Sequence, residues 1–455
     1  MDREVRLTEG SISGAMVKLA LPIMANSFVQ MAYNFMDMIW LGRVGTKTVA
    51  AAGTAGFFTW IGAALLLIPK VAAEVGVAQS YGKEDMKGVK KYIVHTLQLD
   101  IVLAIIYSLF LILLRNQLIG FFGLTDNEVV KMSIDYLVIV SFGMIFFFLN
   151  PVFAGIFNGF GNSLTPFIIN SIGLALNIIL DPIMIFGFGP FPSMGIKGAA
   201  LATVISQLIA TIIFIKVCRN RIKIFIGLNF LEIPKISFIT HIIKLGLPVS
   251  LQEFFFSGIA ILIAKILAKW GATPIAVQNI GSQIEAISWM TAGGFSTALS
   301  AFVGQNYGAK KFDRIKEGYK KAMFIVGIIG VFATCLLIFG ARPIFRLFIP
   351  NDIEAINEGI IYLKILGISQ FFMCIEIATA GAFYGLGKTV PPALVGIVFN
   401  ILRVPGSLLL SNYTSLGLKG VWWSISMSSV FKGVVLTTWF IIFLKRNEQF
   451  KIEKI

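Results

Sequence analysis

Charge is scarce in this chain. Only 13% of its 455 residues are Asp, Glu, Lys or Arg, about half of the roughly 25% typical of soluble proteins. So few polar side chains cannot cover the surface of a soluble fold of this length. That excludes an ordinary cytosolic enzyme, and the high apolar content excludes a disordered chain. Cysteine is almost missing: Cys218, Cys335 and Cys374 lie far apart without CxxC spacing, so neither a disulfide framework nor a thiolate metal cluster is predicted. Two histidines, His95 and His241, are too few for a histidine metal site. There is no nucleotide-binding loop, HExxH pair or nucleophile elbow, and the glycine-rich FNGFG and FYGLG read as tight turns at helix ends. No enzymatic activity and no ATP-driven pumping is expected. No cleavable signal peptide is read at the polar, acidic start MDREVRLTEG.

What fills the chain is apolar: 57% of residues, with a mean hydropathy of +0.85. A helix crosses the bilayer core with about 20 apolar residues. Runs between Gly, Pro and charged breaks predict twelve spans, at 16–40, 49–79, 92–114, 130–158, 163–186, 196–217, 240–266, 273–305, 319–341, 357–385, 389–411 and 417–444. Basic residues cluster on one side of them. Lys83, Lys87, Lys90 and Lys91 follow span 2; Arg219, Arg221, Lys223 and Lys235 follow span 6. Lys310, Lys311, Arg314, Lys316, Lys320 and Lys321 follow span 8, and Lys445, Arg446, Lys451 and Lys454 close the chain. Positive loops face the cytoplasm, so both termini are predicted there, in the cytoplasmic membrane. The net charge of +15 is then a topology signal, and no nucleic-acid partner is implied.

The two halves repeat with an offset of 226. KLALP at 18–22 matches KLGLP at 244–248, VAQSYG at 77–82 matches VGQNYG at 303–308, and AGIFNGFGNSLTP at 154–166 matches AGAFYGLGKTVPP at 380–392. After a three-residue gap NIILDP at 177–182 matches NILRVP at 400–405. Six spans return the chain to its starting side, so the repeats are parallel, related by an axis along the membrane normal. The predicted fold is an all-α polytopic membrane protein with two six-helix lobes: residues 1–217, a cytoplasmic linker at 218–239, and residues 240–455. Two such lobes around a central cleft are the architecture of an alternating-access transporter.

Charge inside a span is costly, so the few acids there are the candidate functional residues. Asp37 in span 1 shares a helical face with Tyr33 and Gln30, and Asp181 in span 5 with Asn177, one turn earlier. In the repeat, Asp37 faces Ile263 and Asp181 faces Val404, so the shared scaffold does not require either acid. The bland readings are a snorkelling or water-exposed acid near the outer surface for Asp37 and a helix-end or kink Asp-Pro for Asp181. The second half carries Glu253, Glu285 (near Trp289 and the Gln278 face) and Glu376, with Arg403 a candidate to neutralise Glu376 or another acid. Asn158 and Thr203 are added as cleft candidates. Lys265 and Lys269 are read as snorkelling, and His95 with Asp100 as a local polar contact.

The span-1 stretch DMIWLGRVG at 37–45, the VAQSYG/VGQNYG pair and FNGFGNSLTP at 157–166 resemble the multidrug and toxic compound extrusion (MATE) family of cation antiporters, over roughly residues 10–445. The resemblance implies a V-shaped transporter that exports amphipathic, often cationic drugs in exchange for entering H⁺ or Na⁺. It implies that Asp37, Asn177 and Asp181, with Tyr33 and Tyr136, bind the coupling cation, Na⁺ being the only metal expected. It also likens Glu285 to an acid used in drug recognition. Some members hold a second cation site on acids of spans 7 and 10; Glu253 and Glu376 each lie about one turn from those positions. No cofactor is expected, and a monomer is. A lipid-linked precursor flippase of the same superfamily is the alternative reading.

Overall fold

A computed structural model describes residues 5–189, 192–221, 227–350 and 352–450. Lys223, Lys451 and Lys454, and the side chain of Arg221, lie outside them. In hydrocarbon a helix satisfies its own backbone, and the described residues are helical with no β-strand. The helices are α1 (Ile12–Val44), α2 (Thr46–Leu65), α3 (Leu67–Gly82), α4 (Met86–Leu113), α5 (Arg115–Gly120), α6 (Asn127–Gly159), α7 (Leu164–Phe186), α8 (Ile196–Arg221), α9 (Ile236–Leu267), α10 (Ala272–Gly308), α11 (Phe312–Phe339), α12 (Ala341–Phe348), α13 (Ile353–Gly385), α14 (Val390–Asn412) and α15 (Leu418–Arg446). Twelve stretches are long and apolar enough to cross a membrane. The second is broken at Leu66 into α2 and α3. Pro69 explains the break, because it has no N–H to bond the carbonyl of Leu65. The outward faces carry large apolar side chains; Phe142, Phe324 and Phe332 are 66%, 70% and 67% exposed, as suits contact with lipid.

The chain packs as two compact units. One comprises Leu21–Ser250; the other comprises Arg6–Ala20 together with the chain from Leu251 onward. The break in membership falls inside α1 close to Pro22, and inside α9 close to Pro248. In the second unit the segment before α1 is strapped down. Leu7 is fully buried, its carbonyl accepting from Asn306 Nδ2 (3.1 Å) and Arg314 Nε (3.1 Å). Arg314 also donates to the carbonyls of Glu9 (2.6 Å) and Gly10 (3.0 Å).

The sequence repeat reappears in the backbone. Glu84 and Lys310, 226 residues apart, are the described non-glycine residues with positive φ, each at 59°. Asp126 and Asp352 cap α6 and α13 at matching positions, accepting from the N–H of Glu128 and Ala355. Lys47 bridges Asp126 (2.9 Å) and Glu128 (2.6 Å) and holds the exposed Asp126 carboxyl below its ordinary range. Packing repeats too. A Cβ on Gly155 or Gly159 of α6 would lie 3.0 Å from the Lys70 carbonyl or 2.8 Å from the Glu74 carbonyl of α3. On α13 the equivalent Gly381 and Gly385 meet the carbonyls of Ser296 and Ser300 of α10. Small residues four apart let helix backbones touch, which is how helices associate where no hydrophobic force drives them.

Gly381→Leu should therefore force α10 and α13 apart and cost about 1–3 kcal/mol or more by overpacking. The measurement is the thermal midpoint of the purified chain in detergent. Gly293→Leu on α10, where a Cβ meets nothing within 4 Å, should leave the midpoint unchanged; equal effects would contradict the assignment.

Candidate functional site

Five residues expected together are brought together in the first unit. Tyr33 and Asp37 come from α1, Tyr136 from α6, Asn177 and Asp181 from α7. The four-residue spacings put each pair on one helix face. Asn177 and Asp181 are fully buried, and Asn177 Nδ2 donates to Asp181 Oδ1 at 3.2 Å. Asp37 lies beside both Asp181 and Asn177. α1 is held against α7 from both sides of the site: Asn170 Nδ2 donates to Asn26 Oδ1 (2.7 Å), and Trp40 packs edge-on against Phe186 (6.2 Å). Of the two bland readings of Asp181–Pro182, the helix end is corrected: α7 continues past Pro182, which lies inside it, to Phe186, because a proline removes one backbone bond yet neighbouring helices hold the rest.

α8 completes the pocket. Thr203 Oγ1 lies 3.4 Å from Asp37 Oδ2 and 3.0 Å from the Ala199 carbonyl; its single proton serves one acceptor at a time. Thr203 was expected among cleft residues and instead joins the acids. Ser206, one turn on, is fully buried and faces Tyr33. Its only signal in the sequence is a Thr/Ser pair three apart on an apolar helix. Tyr33 Oη, Asp37 Oδ1, Asn177 Oδ1, Asp181 Oδ2 and Ser206 Oγ are all enclosed without a hydrogen-bond partner. Several oxygens thus converge around two carboxylates, and no basic side chain stands among the groups acting on either acid. Oxygen donors of this kind suit a hard cation or a shared proton.

Other candidates lie elsewhere. Gln30 shares the face of Asp37 but is exposed, two turns away. Asn158 is buried at the end of α6 with Oδ1 unpartnered. Asp100 and His95 do not pair: His95 Nδ1 meets Gln98 Oε1 (2.8 Å), and neither Asp100 oxygen has a partner. In the second unit Glu253 and Gln278 are half-buried, and Trp289 is 44% exposed. Glu285 accepts from Tyr362 Oη (2.6 Å) and Gln370 Nε2 (3.0 Å). Arg403, read as a candidate to neutralise Glu376 or another acid, lies within electrostatic reach of both Glu376 and Glu285. Arg403 donates to Ser428 Oγ (2.6 Å) and Ser429 Oγ (3.1 Å), while Glu376 pairs with Lys432 at 3.5 Å. The nearer cation comes from α15, and nothing in the sequence says which base a given acid will meet.

Asn177→Leu leaves the buried Asp181 without its donor. It should destabilise the purified chain by about 1–3 kcal/mol, the cost of an unmade buried hydrogen bond, seen as a lowered thermal midpoint. Gln30→Ala should leave the midpoint in place; an unchanged midpoint for Asn177→Leu would contradict this geometry.

Comparisons with known proteins bear on the fold and the family. The family model MatE matches residues 22–183 and again 248–409, the second match displaced by the 226 residues of the internal repeat. The chain is 28% identical over 427 residues to the probable multidrug resistance protein NorM of Thermotoga maritima, covering 94% of this chain and 91% of that protein. It is 27% identical over 429 residues to the probable multidrug resistance protein YoeA of Bacillus subtilis, covering 90% of each. Its fold matches a crystal structure of MATE in the bent conformation with a TM-score of 0.89 at 24% identity, over 96% of this chain and 97% of the other. A MOP superfamily transporter from Pyrococcus furiosus matches with a TM-score of 0.88 at 24% identity, over 97% and 98%. With the family model matched twice over well more than half of its length, the chain belongs to the MatE family and is a twelve-helix membrane transporter rather than an enzyme.

Proposed function

We propose that this transporter is a multidrug efflux antiporter that exports amphipathic, mostly cationic small molecules in exchange for entering H⁺ or Na⁺. The observation that carries the reading is the pair Asp37 and Asp181, enclosed side by side without a base. Two like charges about 4 Å apart repel by about 4 kcal/mol at an effective dielectric constant of 20. One bound cation, H⁺ or Na⁺, relieves that repulsion, so the pocket has an inherent demand for an exchangeable positive charge. The names of the relatives, multidrug resistance proteins, support drugs as the cargo. The buried acids favour cationic over anionic cargo, and so favour this reading over a lipid-precursor flippase.

The coupling follows from one requirement: ion and cargo must favour different arrangements of the protein. Occupation of the pocket cancels the charge on α1, and α1 has a ready point of yielding at Pro22, whose missing N–H leaves the Lys18 carbonyl unbonded within the helix. Ion entry thereby favours the arrangement that releases cargo outward, and ion departure to the cytoplasm resets it. Basic loops at 83–91 and 310–321 support cytoplasmic termini in the cell membrane, and the twelve spans of one chain support action as a monomer.

Asp37→Asn should bring drug resistance in cells down to the level of the empty vector while membrane expression is preserved. In proteoliposomes, ethidium efflux by the unaltered chain should require an imposed pH or Na⁺ gradient, each tested alone. Full transport by Asp37→Asn, or efflux indifferent to both gradients, would sink the proposal.

A further inference from the structure

The second unit buries charge on a different plan. Glu285 on α10, Glu376 on α13, Arg403 on α14 and Lys432 on α15 stand within one polar interior. Lys432 Nζ is 3.5 Å from Glu376 Oε2, and both side chains are only 8% exposed. The charged groups facing Lys432 from the helices packed on α15 are Glu376 of α13 and Arg403 of α14. Arg403 feels Glu376 and Glu285, and its hydrogen bonds go to Ser428 and Ser429. Two acids are balanced by two bases.

The internal repeat makes this balance informative. Tyr362 stands where Tyr136 does in the first half, Asn400 where Asn177 does, and Ser429 where Ser206 does, on the offsets of 226 before the gap and 223 after it. Ile263 and Val404 replace Asp37 and Asp181. The polar frame of the pocket is therefore kept, its two acids are lost, and acids on other helices appear together with fixed cations. A carboxylate already holding an ammonium ion in a dry interior has no demand for H⁺ or Na⁺. Removing either partner of such a pair leaves a net charge that must be neutralised or expelled.

We propose that Lys432 is a tethered counter-cation that occupies Glu376 permanently, so that the second unit takes no exchangeable ion and coupling runs through the Asp37–Asp181 pocket alone. Lys432 thus sets how many ions each cycle uses. This rests on the Asp37–Asp181 pocket being the coupling site, and the readouts separate the two claims.

Infrared difference spectra of the purified chain between alkaline and acidic buffer, together with ²²Na⁺ binding, report which carboxyls take up a cation. Asp37→Asn/Asp181→Asn should abolish any specific Na⁺ binding and lower the buried protonated-carboxyl band to what Asp100, buried without a partner, contributes, with the second unit intact. Lys432→Met should add a new carboxyl band or a second bound Na⁺, and Lys432→Met/Glu376→Gln, which restores neutrality, should remove it. Lys432→Arg should behave as the unaltered chain. A buried carboxyl or Na⁺ signal persisting in Asp37→Asn/Asp181→Asn, and lost on adding Glu376→Gln, overturns the proposal; so does a folded Lys432→Met that gains nothing. Should Lys432→Met not fold, the comparison of Asp37→Asn/Asp181→Asn with and without Glu376→Gln decides alone. Transport retained by Asp37→Asn would refute the coupling role of that pocket without altering these spectra.

Discussion

A net charge within hydrocarbon must be matched by an opposite charge, reached by water or neutralised by a bound ion. That constraint orders the whole molecule. It sends most of the lysines and arginines to the loops at helix ends, where they carry the excess positive charge. It leaves the helices to associate through glycines and carbonyls rather than through ion pairs. It also gives meaning to the few charged side chains that remain inside. In one unit two acids lie together without a base, and in the other Glu376 and Glu285 each have a base nearby. On the proposed reading, the same rule of neutrality is met by a mobile cation in the first case and by side chains in the second.

The repeat separates scaffold from chemistry. Features that set where the chain turns and how closely helices approach are kept across both halves: Glu84 and Lys310 in left-handed turns, Asp126 and Asp352 as caps, Gly155/Gly159 and Gly381/Gly385 against carbonyls. Each answers a backbone demand that both halves share. Asp37 and Asp181, inside the spans, answer no such demand. They have apolar counterparts in Ile263 and Val404, so they belong to what the halves do not share.

The spans were legible because a crossing helix needs a long apolar run, and that is a local property of the sequence. The break at Leu66 was not, since the stretch stays apolar through Pro69 and only the missing backbone bond divides it. The short helices α5 and α12, of six and eight residues, leave too little pattern to read. Asp37, Tyr33, Asn177 and Asp181 could be found because acids in spans are rare and their neighbours recur one turn away. Ser206 was invisible among many serines. The Lys432–Glu376 pair was hidden for a different reason: its members lie on separate helices, and pairing between helices is fixed by packing. Periodicity puts Gln30 on the face of Asp37 but does not say that the face is more exposed two turns earlier.

The strap at Leu7 bears on how the protein is made. Its anchors, Asn306 and Arg314, follow it by 299 and 307 residues. At about 5–20 residues per second, ribosomal synthesis of that stretch takes roughly 15–60 s. Through that interval eight spans enter the membrane while Leu7 lacks its partners. Docking of the strap is therefore a late event in biogenesis, and Leu7 reaches its final place long after it leaves the ribosome.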